Sequence, residues 1–179
     1  MENNQPLSIL VGDKAFTEKY AGMLSKCTGK VVKPHIDRSK NIWFVKANSF
    51  QLFTLFKKVR VDTEYLELLL HQSGRQSSLL FIEGFFDAEG CVKIIKEPVR
   101  ITPKICLDLT NTNKVYLEII RSLLQEILGI EARYSIQKAF MGKDGFPRQQ
   151  VYHLRIYKRA SIRKFLENIE TTKVKLPGL

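Results

Sequence analysis

The chain has 179 residues, 44% hydrophobic and 26% charged, with 29 Lys and Arg against 18 Asp and Glu and a formal net charge of +11. This composition excludes a disordered or fibrous chain and allows one domain or two small lobes around real cores. The basic excess lies on both sides of Leu79, so it is no detachable tail; spread in this way it favours a long polyanion, nucleic acid first, over a membrane surface. Cys27, Cys91 and Cys106 form no Cys-x-x-Cys pair and leave one thiol over in any pairing scheme. A reducing, intracellular setting is expected, cytoplasm, nucleoid or organelle. His35, His71 and His153 are too scattered for a closed zinc site. The first residues lack a signal-peptide pattern and no apolar run spans a bilayer, so a soluble protein without a membrane partner is expected.

In chain order, Leu7 to Val11 reads as a strand, followed by a plausible N-cap at Asp13 and a helix carrying Ala15, Phe16, Tyr20, Met23 and Leu24, closed by Gly29. Alternating residues Lys30 to Ile36 predict a strand, then a polar turn, then a second strand Ile42 to Val45 and a helix holding Phe50 and Phe53. Val59 to Gln76 contains a further helix with Tyr65, Leu66, Leu68, Leu69 and Leu70, ending near Gly74.

The second half repeats the first. Lys104 to Leu109 reads as a strand, Asn113 as the cap, Val115, Tyr116, Ile120, Leu123 and Leu124 as the helix, and Gly129 as its end, at a constant offset from Asp13 and Gly29. Strands Glu131 to Gln137 and Tyr152 to Tyr157 follow, then a helix with Ile162 and Phe165. The offset lengthens between them, which places an insertion at Lys138 to Arg148, read as a mobile basic loop from its Gly, Pro and Lys content. Each copy is an α+β unit with a twisted antiparallel sheet, the lobes being residues 1–74 and 75–179.

The alternation assigns faces. In the second copy Ile105, Leu107, Leu109, Tyr134, Ile136, Tyr152, Leu154 and Ile156 predict the core side; Lys104, Cys106, Asp108, Arg133, Ser135, Gln137, His153, Arg155 and Tyr157 predict the other. That second set is poor in Glu and rich in the donors and acceptors that read base edges and phosphates. Lys93, Lys96, Arg100, Lys138, Arg148 and Gln150 extend it. In the first copy Lys33, His35, Arg38 and Lys40 carry the same design, with Asn41 and Trp43 outward and Ile42 and Phe44 inward.

Leu79 to Gly90, LLFIEGFFDAEG, is the most informative stretch. Leu79, Leu80, Ile82, Phe85 and Phe86 predict a buried helix, and Gly84 and Ala88 form a small-xxx-small pair that lets a second helix backbone approach closely. Glu89 ends it just before Gly90 and the strand Cys91 to Ile95, a placement suited to a divalent metal beside a phosphodiester.

Ile82 to Gly90 resembles the motif of the LAGLIDADG homing endonucleases: both glycines, the Asp87-Ala88 pair and an acid before the last glycine are kept, with Glu89 where Asp is common. With the internal repeat, the resemblance covers nearly the whole chain. It implies a LAGLIDADG homing-endonuclease-like α+β fold, two pseudo-repeated lobes forming a saddle on double-stranded DNA, with motif helices packed at the centre, each delivering one acid to Mg²⁺ or Mn²⁺. Glu89 and the Gly90 backbone are then the metal ligands, and Asp87 takes a structural or helix-end role. Asn111 fits either a polar catalytic position or an Asx turn, and the catalytic lysine is open among Lys93, Lys173 and Lys175.

The first copy lacks a motif helix and first strand, so the chain carries one metal-binding acid where cutting both strands needs two. Three accounts compete: pairing with a second copy of the chain, a helix from another polypeptide or from upstream residues, or a protein that binds without cutting, such as an RNA-splicing maturase. The intact motif ranks a metal-dependent, site-specific DNA endonuclease working as a pair above pure binding.

Overall fold

The computed structural model describes residues 7–11, 13–95 and 104–174. It divides into two compact units, Met1–Leu66 and Glu67–Leu179.

In the first unit, β1 (Leu7–Val11), β3 (Ile42–Ala47) and β2 (His35–Asp37) make an antiparallel sheet in the order β1-β3-β2. Helix α1 (Lys14–Thr28) begins because Asp13 Oδ1 accepts from Phe16 N at 3.0 Å and ends at Gly29, whose φ of 66° suits a residue without Cβ. Ala21 and Leu24 of α1 pack with Val45 and Ala47 of β3, and Leu7, Tyr20, Val32 and Leu52 close around them. Leu52 belongs to α2 (Phe50–Val61), capped by Ser49 Oγ accepting from Leu52 N at 3.3 Å.

Two expectations fail here. The predicted strand Lys30 to Ile36 shrinks to His35–Asp37, because Ser25 Oγ of α1, which donates to Ala21 O at 2.8 Å, takes the Val32 N–H at 2.9 Å. Backbone groups used in this way cannot join a ladder, and Pro34 offers no N–H. The faces of β3 are also inverted: Trp43 pairs with Ile36 and shares its side with buried Val45 and Ala47, while Phe44 stands on the other side, stacked on His35 with ring centroids 5.5 Å apart. Adjacent aromatics leave the parity of a short strand undecided; the register decides it.

The second unit takes over within α3 (Thr63–Gln72), earlier than the expected boundary after Gly74. The later part of α3 belongs with the second unit: Leu70 is buried, its carbonyl accepts from Ser78 Oγ at 3.3 Å, and His71 Nδ1 lies 3.9 Å from Glu126. Helix α4 (Gly74–Glu89) leads into β4 (Gly90–Ile95), then β5 (Lys104–Asn111), α5 (Lys114–Leu128), β6 (Arg133–Gln137), the short β7 (Phe140–Met141) and β8 (Pro147–Arg148), β9 (Val151–Ile156) and α6 (Arg159–Asn168). The main sheet is antiparallel in the order β4-β5-β9-β6.

The repeat holds in detail. Asn113 Oδ1 accepts from Val115 N at 3.0 Å, as Asp13 does a copy earlier, and Gly129 adopts φ 58° as Gly29 adopts 66°. The amphipathic α5 buries Leu117, Ile120, Leu124 and Leu128, α4 contributes Ile82 and Phe86, and α6 contributes Ile162 and Phe165. All cover Leu107, Leu109, Leu154 and Ile156, each fully buried, and the Phe86 and Phe165 rings meet at 5.1 Å. The insertion is a folded hairpin rather than a mobile loop: β7 pairs with β8, Gly142 N donates to Phe146 O at 2.9 Å, Gly145 turns the chain at φ 78°, and Asp144 holds Arg148. Among the described residues no helix is long and apolar enough to cross a membrane.

Candidate nucleic-acid interface and acid site

Side chains on four sides of α4 meet four different surroundings. Leu79, Ile82 and Phe86 face the core. Glu83 and Asp87, one turn apart, bind the segment after α6: Glu83 Oε2 accepts from Glu170 N at 3.1 Å, and Asp87 Oδ1 accepts from Thr171 Oγ1 at 2.6 Å and Thr172 N at 2.8 Å. Leu80, 43% exposed, Gly84 and Ala88 form an open stripe, and a Cβ built on Gly84 meets nothing within 4 Å. Glu89 is exposed at the helix end, and its carboxylate has no hydrogen bond or ion pair among the described residues. Two carboxylates two positions apart thus have opposite roles. Asp87, 2% exposed, is a clasp; Glu89 is free to take a ligand.

The turn from helix to strand needs the last glycine of the motif. A Cβ on Gly90 would stand 2.6 Å from Phe86 O and 2.7 Å from Phe86 Cγ, with Cδ2 of the ring closer still, nearer than nonbonded atoms tolerate. Gly90→Ala is expected to cost about 1–3 kcal/mol through this overpacking, read as a lowered thermal midpoint with the α+β circular dichroism spectrum unchanged.

Glu89 stands where the polar face of the sheet begins: Gly90 pairs with Leu109, and Thr110 Oγ1 donates to Glu89 O at 3.2 Å. The register gathers Cys91 and Lys93 of β4, Lys104, Cys106, Asp108 and Thr110 of β5, His153 and Arg155 of β9, and Arg133, Ser135 and Gln137 of β6 on that one face. Tyr157, just past β9, joins Lys104, Arg133, Ser135 and Arg155 around an open cleft of about 720 Å³. Lys138, Arg148 and Gln150 are exposed on and beside the inserted hairpin, whereas Lys96, Arg100 and Lys175 lie outside the described residues. In the first unit Lys33 and His35 are exposed beside Lys46, and Arg38 and Lys40 sit in the turn that Asp37 organises by accepting from Ser39 N at 3.0 Å.

The contacts of several candidate side chains are defined. Asn111 makes the Asx contact, its Oδ1 accepting from Asn113 N at 2.8 Å. Lys93 is ion-paired with Asp108, and His153 is 6% exposed with Nδ1 3.1 Å from both Asp108 oxygens, so neither is a free group on the face. Lys173 is exposed and follows the two residues that Asp87 anchors. The sequence reading missed Asp108 as an organising group, Lys46, and Lys158 and Arg159 at the cleft rim. Lys46 was visible in principle, two positions beyond Phe44 on its side of β3. Burial pushes the Tyr134 phenol up to about 12, with Glu118 adding and Arg121 opposing, so this cleft residue stays neutral at any working pH.

A magnesium-like ion wants hard oxygen ligands. Glu89 and the neighbouring backbone are of that kind, but no group of three or more His, Cys, Asp or Glu among the described residues could hold a metal. Among the described residues Glu89 is thus a lone exposed carboxylate at this helix end.

Residues 76–170, more than half of the chain, match the LAGLIDADG-like domain. The chain belongs to the LAGLIDADG family. Its fold is that of the LAGLIDADG homing endonucleases: I-DmoI superposes with a TM-score of 0.60 at 20% identity, over 94% of this chain and 83% of that one, and has been solved in complex with DNA and Mn and with DNA and Ca. The N-terminal LAGLIDADG domain of WhiA superposes with a TM-score of 0.57 at 14% identity, over 97% of this chain and 74% of that one. An uncharacterized protein of Methanocaldococcus jannaschii is 25% identical over 150 residues, 81% of this chain and 54% of that protein. The LAGLIDADG chain thus spans about half the length of the curated relative it matches.

Proposed function

We propose that this LAGLIDADG protein binds duplex DNA on the polar face of the β4-β5-β9-β6 sheet and hydrolyses its phosphodiesters with Mg²⁺ or Mn²⁺, once a second motif helix packs on the open stripe of α4. One observation carries the reading: the unbonded, exposed Glu89 stands where the Gly84–Ala88 stripe meets the basic face. A second copy of the chain is the simplest source of the partner helix, because two such stripes are self-complementary and bring two Glu89 side chains together.

The protein's own part is to bind and to orient. Arg133 and Arg155 face each other directly across β6 and β9; Asp108 offsets one of the two charges, and the pair concentrates cationic donors on this face. The basic face supplies phosphate contacts and base-edge donors; Gly90 lets the chain turn so that Glu89 is carried to the edge of that face; and Asp87 anchors Thr171 and Thr172, just ahead of Lys173. The metal, when bound, supplies an activated water and charge stabilisation at the leaving oxygen.

A second reading, a protein that binds without cutting, draws on the lone carboxylate at this helix end among the described residues. One assay separates them. In Ca²⁺ the protein is expected to shift a duplex library as a pair of chains, with affinity falling by roughly 10³-fold or more between 50 and 200 mM salt; in Mg²⁺ the selected duplexes should be nicked or cut. Selection without cutting in Mg²⁺ or Mn²⁺ favours the second reading, and no salt-sensitive duplex binding overturns both.

A further inference from the structure

Asp108 is an acid placed where an acid is costly. It is fully buried on a face otherwise built for an anion, and a buried carboxylate persists only when paired and hydrogen-bonded. Three side chains from two neighbouring strands meet it. Lys93 of β4 bonds Oδ2; Arg155 of β9 places Nε 3.3 Å from the same oxygen; and His153 of β9 brings Nδ1 to 3.1 Å from each oxygen. Their exposure is graded: the His153 side chain is 8% accessible, Arg155 27% and Lys93 42%. Histidine completes the buried floor, while the two cations reach from it toward solvent.

Arg155 is the best constrained of the three. Burial works against its charge, yet hydrogen bonds with Tyr157 and Asp108 and the attraction of Asp108 hold its pKa above the ordinary arginine value. With Nε turned to Asp108 and a further bond made to Tyr157, the planar guanidinium keeps terminal N–H groups to donate toward the cleft that Arg155 lines with Arg133, Ser135 and Tyr157. The Ser135 hydroxyl there is buried and has no partner among the described residues. A fork of two parallel N–H donors matches O6 and N7 of guanine in the major groove.

We propose that Asp108 is a positioning residue for sequence recognition: it locks Arg155 so that the guanidinium reads one guanine of the target, and with it fixes the base preference at that position. The proposal rests on the duplex-binding reading above and adds to it one base and the acid that selects it. Without Asp108 the arginine keeps its charge but loses its direction, so affinity for phosphates survives while discrimination fades. A residue that merely supported the fold would weaken all positions together.

The test is selection from a randomised duplex library in Ca²⁺ by the full chain, Asp108→Asn, Arg155→Lys and the double variant, with thermal unfolding measured in parallel. The wild type is expected to enrich guanine at one position per half-site by about 5- to 150-fold. Both single variants lose that enrichment at the same position and keep the others, and the double variant loses no more than either alone. Guanine preference retained in Asp108→Asn, or lost evenly at all positions in a variant that unfolds at the wild-type temperature, overturns the proposal. Should Asp108→Asn fail to fold, Arg155→Lys decides alone, and a preserved guanine preference there is equally fatal. Wild-type protein that selects no duplex removes the duplex-binding reading itself, an outcome distinct from selection that ignores Asp108.

Discussion

Replacing Glu89 with Gln is expected to abolish metal-dependent cleavage while leaving the fold and duplex binding in Ca²⁺ intact. The separation follows from the exposure of this carboxylate and the lack of any side-chain bond to it among the described residues, none of which leans on its charge. Losing a group that supports a metal ligand typically costs ~10–100-fold in activity, and loss of the ligand itself should exceed that. A single-turnover nicking assay in Mg²⁺ and Mn²⁺, run beside a gel shift in Ca²⁺, reads both quantities. Equal nicking by Glu89→Gln and wild type would remove the hydrolytic reading. Asp87→Asn gives the complementary result. There the variant should lose about 1–3 kcal/mol of stability, because the buried clasp on Thr171 and Thr172 loses its charge-assisted bonds.

Gly84→Leu should have the second large effect, and it runs against intuition for a helix glycine. Among the described residues the site is open, with nothing within 4 Å of the position a Cβ would take, and glycine is the poorer helix former by roughly 0.5–1 kcal/mol relative to alanine. A larger residue should therefore leave the isolated fold unharmed or slightly steadier. Its cost should fall on the close approach of another helix backbone along Leu80, Gly84 and Ala88, and with it on pairing and cleavage together. Sedimentation with and without duplex DNA checks the first, and the nicking assay the second; Gly84→Ala, which adds one methyl group, should fall between. Full cleavage by a Gly84→Leu variant would place the partner helix elsewhere or make it unnecessary. The contrast with Gly90 is instructive, since there the obstruction is Phe86 of the same helix and the penalty falls on the fold.

Much of this was legible in residue order because it is local or periodic. The caps at Asp13 and Asn113, the left-handed glycines Gly29 and Gly129, the buried stripe of α5 and the alternation of β5, β6 and β9 all depend on neighbours within a turn or a strand, which spacing reveals. The acid-glycine motif was legible for the same reason; that Asp87 is buried on Thr171 and Thr172 while Glu89 stays exposed came only with the fold. Folding decided the rest through partners distant in sequence. Ser25 ended a predicted strand by capturing Val32, and pairing with Ile36 turned Trp43 inward. Asp108, which looked like one more polar residue in an alternating strand, became the anchor of Lys93, His153 and Arg155 only when β4 and β9 came to lie on either side of β5. A carboxylate's cost and its remedy are set by burial and by charges brought within about 3–4 Å, and no spacing along the chain specifies either.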